Sequence, residues 1–252
     1  MQDITVPGPV DTEAELDRIA ARYRRAGGVG MKVLNLLGGQ AEGLLDRLPA
    51  SVRGGLTGAT EKALNVAVGV AQRSRGAIPD QPGWVNTAVG TAMGAAGGFG
   101  GLPSALVELP ATTTLLLRTI QGVAAEHGFD PAEEGVQFEC VRVFAAAGPL
   151  DHDNASDLGF VSLRLTLTGG AMHKLIAAVA PRLATVLGQK LAAQTVPVLG
   201  AVAGATTNYM FTSYYQDMAH VHFGLRRLAV ESSVPHDQLV GQLASRMRVT
   251  RA

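Results

Sequence analysis

The chain has little charge, few aromatics and one cysteine, and each shortage removes a class of explanation. Charged residues make up 17% of the 252 positions, against about 25% in an ordinary soluble domain. They also balance, with 21 Lys and Arg against 21 Asp and Glu, so no net field draws the chain to nucleic acid or to an acidic partner. The one local excess is five arginines from Arg226 onward against Glu231 and Asp237, read here as a solvated basic terminus before an anionic-lipid contact. Cys140, the single cysteine, excludes an intramolecular disulfide and gives no metal spacing. Within Phe138-Glu139-Cys140-Val141-Arg142-Val143-Phe144 it is expected to be a buried, inert thiol.

Other things are missing as well. Met1 to Arg25 lacks the apolar stretch of a secretory signal, so the expected location is the cytoplasm. No Gly-x-Gly-x-x-Gly follows a strand, and neither Gly-Lys-Ser/Thr nor Gly-x-Ser-x-Gly occurs, which argues against nucleotide binding and a nucleophile elbow. His220 and His222 are two apart and point to different sides of a helix, so they do not share a metal. Asp217 and His220, three apart, can meet on one face. Asp151 to Asp157 is rich in oxygen donors but lacks the glycine and terminal glutamate of an EF-hand loop. No cofactor is expected.

What is present is apolar residues, at 47%, and 31 glycines, in a chain long enough to bury a core without staples. The patterning is helical. Thr12-Glu13-Ala14-Glu15 has capping-box spacing with Thr12 as N-cap, and Leu16, Ile19 and Tyr23 follow on one face. Gly27, Gly28 and Gly30 interrupt the run before it resumes and ends at Pro49. A further helix is expected over Thr60 to Arg75, with a turn at Pro79 and Pro82. Ser104 is expected to cap a helix that stops at Gly128, and Asp130-Pro131 to start one that ends at Gly148-Pro149. Val161 to Thr168 alternates with period two and is assigned to helix for want of a partner strand. A long helix to about Val230 and a short one after Ser233 and Pro235 complete the chain.

Two segments stand apart. From Gln81 to Leu117 the only ionisable side chain is Glu108, and from Leu191 to Gln216 there is no acid or base of the usual kinds. Gly90, Gly94 and Gly98 repeat every fourth residue in the first, Gly200 and Gly204 in the second. That spacing makes a flat stripe for close helix approach, at roughly 1 kcal/mol per glycine in helix propensity. Pro103, Pro110 and Pro197 argue against simple spanning helices. The expected fold is therefore an all-α, multi-helix globular bundle with two glycine-rich, charge-poor helical segments kinked at prolines.

Glu108 is the most informative residue, because a free carboxylate among Leu106, Val107, Leu109 and Pro110 is costly to bury. Arg118 is too far along to pair with it on one helix (about 15 Å at ten residues), so each needs a partner elsewhere. Thr112, Thr113 and Thr114 follow Pro110, where hydroxyls can serve carbonyls that the proline leaves free.

Several stretches together resemble the EcsC family of bacterial proteins: Gly98-Phe99-Gly100-Gly101-Leu102-Pro103, Glu108-Leu109-Pro110-Ala111-Thr112-Thr113-Thr114, Arg118-Thr119-Ile120, Val196-Pro197-Val198-Leu199-Gly200, Asn208-Tyr209-Met210-Phe211, and Ala219-His220-Val221-His222-Phe223 with Arg226. The resemblance covers roughly Thr60 to Glu231 and implies a helical, apolar protein whose biochemical role is undefined. It takes its name from an operon encoding a transporter, which makes a membrane transporter a conceivable partner. It singles out Glu108, Thr113, Arg118, Asn208, His220 and Arg226 as ligand-binding candidates, with no catalytic or metal residue. Residues 1–59 are read as N-terminal amphipathic helices, 60–231 as the EcsC-like core, and 232–252 as a short helix and basic tail.

Three functions follow in order. The first is a non-enzymatic, membrane-associated protein, peripheral on the inner face of the cytoplasmic membrane. The second is a soluble binding protein for a lipid-like or other hydrophobic ligand, with Glu108, Arg118 and Asn208 orienting a polar head. The third is a hydrolase using Glu108 or His220 as acid or base.

Overall fold

The computed structural model describes residues 10–36, 44–77, 79–99, 101–144, 146, 171–194 and 200–249. All their regular structure is helical: α1 (Thr12–Leu36), a 3-10 turn (Leu44–Arg47), α2 (Ala50–Ala77), α3 (Gly83–Phe99), α4 (Gly101–Glu126), α5 (Glu134–Val143), α6 (Ala171–Gln194), α7 (Gly200–Ser232) and α8 (His236–Val249). The alternating stretch from Val161, the loop at Asp151 to Asp157, Gly148-Pro149 and Pro197 lie outside the described residues.

Local signals set most of the boundaries, though several fall elsewhere than the sequence suggests. Asp11, not Thr12, caps α1: its carboxylate accepts the N–H groups of Glu13 and Ala14, each at 3.1 Å. The helix then runs unbroken through Gly27, Gly28 and Gly30, and α2 begins ten residues before the expected Thr60. The stop at Gly128 is as expected. Gly128 has φ +84°, and the N–H groups of Gly128 and Phe129 bond back to the carbonyls of Ala125 and Ala124, the double bond of a Schellman ending. Asp130 shapes a turn by accepting the N–H of Ala132 at 2.8 Å, and α5 starts only at Glu134.

The prolines do not break α4. The helix starts at Gly101, so Ser104 is not its cap, and Pro103 occupies the first turn, where an N–H has no intrahelical acceptor. Pro110 lies inside the continuous helix, because Leu109, Leu116 and Leu117 on either side are buried in the core. The hydroxyls of Thr113 and Thr114 bond to the carbonyls of Leu109 and Pro110, each at 2.8 Å. They do not reach Leu106, whose carbonyl is the one that loses its donor.

α7 is the axis of the bundle. At 33 residues it is roughly 50 Å long, and from Met210 to Leu225 the side chains are buried except Ser213, Gln216 and His220, as befits a helix packed on most sides. Phe144 meets Tyr215, and Tyr215 meets Tyr214, edge to face at 5.2 and 5.3 Å between ring centroids. α1 lies along α7, while α2 packs on α4 and α6. α6 has the length and apolarity of a membrane span, yet 72% of that window is buried within the fold.

The most extensive helix pairing joins α3 to α7, so the two charge-poor segments cover one another. The pair is antiparallel: Gly83 faces Gln216, Gly90 faces Thr212, and Gly94 faces Gly204 and Asn208. A methyl group on Gly94 would collide with the Gly204 carbonyl and stand 2.7 Å from Asn208 Cβ, and one on Gly90 would be 2.6 Å from the Thr212 hydroxyl. The four-residue glycine interval thus serves a close contact inside the protein, at a separation no side chain permits.

Candidate functional site: a buried polar knot and an open cleft

Glu108 finds its partners on two other helices. Its Oε1 accepts Thr112 Oγ1 at 2.7 Å, Asn208 Nδ2 at 2.8 Å and Lys190 Nζ at 3.3 Å. Asn208 also donates to the Gly90 carbonyl at 2.9 Å, and Lys190 to Thr112 Oγ1 at 3.3 Å. Lys190 has no exposed side chain and Glu108 retains 8%. Burial pushes the lysine ammonium below its ordinary range, against the opposing pull of Glu108. Gly97 leaves the space that Glu108 Oε2 occupies, and that oxygen has no hydrogen-bond partner among the described residues. This knot ties α3, α4, α6 and α7 together. Closed on every described side, it is built to hold helices.

Lys190 went unnoticed in the sequence because it borders the uncharged segment. The signal was present: it continues the buried stripe of Leu183, Val186 and Leu187 on α6, where a solvated lysine does not belong.

Arg118 is not part of this knot. It lies 3.5 Å from Asp80, which Arg75 also holds, and so it fastens the turn between α2 and α3. Burial pushes its guanidinium down, against the pull of Asp80. Thr113 is buried and bonds to its own helix. Arg226 sits on another face: it donates to Glu139 Oε2 at 2.9 Å and lies 4.1 Å over the Phe129 ring. His222 Nε2 meets the same oxygen at 3.2 Å. Burial works to raise the Glu139 carboxyl, but the His222 hydrogen bond and the charges of His222, Arg226 and Arg142 outweigh it and hold the group low. These residues border a cleft of about 510 Å³ between α5, α7 and the start of α8.

A larger cleft, about 950 Å³, opens between α1, α3 and α7. Its long walls are mixed: Trp84, Ala88, Ala92 and Ala95 from α3 face Ala205 and Tyr209 from α7, with Thr87, Thr91, Ser213 and Gln216 between them. Trp84 is 74% exposed and Tyr209 45%. One end is polar. Arg22 and Arg25 reach from α1 to Asp217 Oδ1 at 3.3 and 2.9 Å, and His220 and Glu126 complete that end. Asp217 and His220 do share a face of α7, as their spacing suggests.

Behind His220 stands His127. Nε2 of His127 is 3.0 Å from Nδ1 of His220, with the rings edge to face. Among the described residues His127 Nδ1 is buried without a partner, so the arrangement that orphans no N–H puts the His127 proton on Nε2, donating to His220. That leaves the His220 proton on Nε2, which lies 3.8 Å from Glu126. Burial, with Arg22, His127 and Arg25 adding to it, lowers His220 to about 3. Burial, Arg227 and Arg22 lower His127 too. Both rings are neutral at physiological pH. Among the described residues, no group of three or more His, Cys, Asp or Glu is placed to hold a metal.

The helices that build the knot and most of the large cleft lie within one family segment. A model of the EcsC protein family matches residues 80–228, more than half of the chain. The protein belongs to the EcsC family. Neither a curated protein nor a solved structure matches it. The EcsC segment takes in α3 to α7 up to Leu228, and with it Glu108, Lys190, Asn208, His220 and Arg226. Arg22 and Arg25 come from α1, outside that segment, and complete the polar end of the cleft from there.

Proposed function

We propose that this EcsC-family protein is a non-catalytic binder of an amphipathic, lipid-like molecule, held in the cleft between α1, α3 and α7. The observation that carries this is one cleft that joins a run of apolar side chains, interspersed with threonine, serine and glutamine, to a charged end. Trp84, the alanines and Tyr209 suit a hydrocarbon chain, and Arg22, Arg25 and His220 suit a head group, the usual make-up of a small-molecule site. An imidazole held near 3 is a weak base at neutral pH, where an efficient one has a pKa close to that pH; this supports binding over hydrolysis. Glu108, the other candidate acid, is enclosed by structural partners.

The test fills the cleft. Ala92→Phe adds bulk at an exposed helix position, so the fold survives it. Uptake of dansyl-undecanoate, followed by dansyl emission, is expected to be saturable in the wild type and strongly reduced in this variant. Equal uptake by both proteins, or none by either, overturns the reading.

A second reading, peripheral attachment to the inner face of the cytoplasmic membrane, is favoured by the exposed apolar side chains along the same two helices. Trp84, Val202 and Tyr209 are 74%, 59% and 45% exposed, and such patches mark contact surfaces. Flotation of the detergent-free protein with liposomes tests it. Recovery of the protein in the top fraction is expected, and a folded protein left at the bottom removes this reading.

A further inference from the structure

We infer that the polar end of the large cleft selects a monoanionic head group, a carboxylate or a phosphodiester, on a single-chain or membrane amphiphile. The inference rests on the amphiphile-binding reading above and adds the chemistry of the head.

The argument begins with the charge count around Asp217. Two guanidinium groups converge on one oxygen of one carboxylate: Arg22 at 3.3 Å and Arg25 at 2.9 Å. Two cations against one anion leave a local excess of one positive charge. A guanidinium carries five N–H donors in a rigid fork, and each of these two spends one on Asp217 Oδ1. The side chain of Asp217 is only 12% exposed, whereas Arg22 keeps 36% and Arg25 63%. Asp217 therefore lies behind as the anchor, and the forks stand forward at the cleft with donors to spare. An anion entering there meets charge-assisted hydrogen bonds, roughly twice as strong as neutral ones.

The remaining groups at that end fix the charge. His220 is neutral and contributes an N–H without further positive charge. Glu126, half exposed and 3.8 Å from His220, repels a second negative charge. With Glu126 included, two positive and two negative groups stand at this end, so a monoanion seated on the forks leaves one negative charge unmatched and a dianionic phosphomonoester leaves two. A cationic head is repelled by the guanidinium pair, and a neutral one gains hydrogen bonds from the forks without charge assistance.

The run of Trp84 and the alanines fits the tail. From Trp84 to Ala95 α3 advances roughly 16 Å, about the length of an extended dodecyl chain. Trp84 is at the guanidinium end, since Gly83 beside it packs on Gln216, the neighbour of Asp217. Head and tail are thereby placed in order along the groove.

Trp84 is the only tryptophan in the chain and lines the cleft, so its emission reports occupancy directly. The experiment titrates the protein, below micelle formation and at fixed ionic strength, with dodecanoate, dodecyl methyl phosphate, dodecyl maltoside and dodecyltrimethylammonium. Dodecanoate is expected to bind about tenfold more tightly than the maltoside, the effect of one charged hydrogen-bond set. Arg25→Gln is expected to abolish that preference and leave maltoside affinity unchanged, and Arg25→Lys to restore part of it. Equal affinities for all four heads, or tightest binding of the trimethylammonium, overturn the head-group inference while the cleft stands. No change in Trp84 emission with any of them overturns the cleft itself.

Discussion

Lys190 Nζ lies 3.3 Å from Glu108 Oε1 on a side chain with no exposure. A buried pair of this kind contributes little net stability, because desolvation offsets attraction, but removing one partner strands the other. Lys190→Met is therefore expected to cost about 3–5 kcal/mol, measured by urea unfolding. Adding Glu108→Gln to it is expected to return most of that loss. If the double variant is as unstable as the sum of the two singles, the pair is not coupled as described.

The contact between α3 and α7 yields a contrast within one residue type. Gly94→Leu drives a side chain into the Gly204 carbonyl and is expected to cost on the order of 2 kcal/mol or more. Gly58 in α2 is exposed, with open space around it, so Gly58→Ala is expected to stabilise by about 0.5–1 kcal/mol through helix propensity. Thermal denaturation distinguishes the two. An unchanged melting temperature for Gly94→Leu contradicts the packing.

The helix stop at Gly128 and the glycine interval were legible in the sequence for a common reason: both are local. Gly128 ends α4 by its own backbone conformation, and glycines four apart fall on one face whatever they face. Glu108 was legible as a lone acid in an uncharged run. Its partner was not, since nothing in the spacing joins position 108 to position 190. The same holds for Arg22, Arg25 and Asp217, which only the docking of α1 on α7 brings together. Pro110 stands inside α4, as the helix expected from Ser104 to Gly128 requires. Proline opposes a helix interior by about 3 kcal/mol, yet burial of Leu109, Leu116 and Leu117 outweighs that locally, as tertiary packing does for most helices.

Stability is expected to fall with acid before the carboxylates titrate. His220 is lowered from 6.5 to about 3, so between those values the unfolded chain binds a proton that the folded one does not. Stability then drops as pH falls, by about 2 kcal/mol at pH 5 for this group alone. His127 and His222 are displaced the same way. His220→Gln is expected to remove that share of the loss between pH 7 and pH 5. Parallel pH profiles for variant and wild type argue against a depressed His220.

Cys140 is fully buried, and burial, with Glu139 beside it, raises its thiol far above the ordinary range. Ellman's reagent is expected to leave it untouched in the native protein and to titrate one thiol in guanidinium. Rapid native reaction instead reports local opening of α5.

The glycine contact has a consequence for synthesis. α3 is finished at Phe99, and α7 begins roughly a hundred residues later at Gly200. At about 5–20 residues per second, α3 emerges from the ribosome about 5 to 20 s before the helix that covers its glycines exists. Nascent chains of this protein thus carry an uncharged helix whose glycine face is uncovered, for long enough to meet a chaperone or a bilayer, and that contact closes only after α7 has followed.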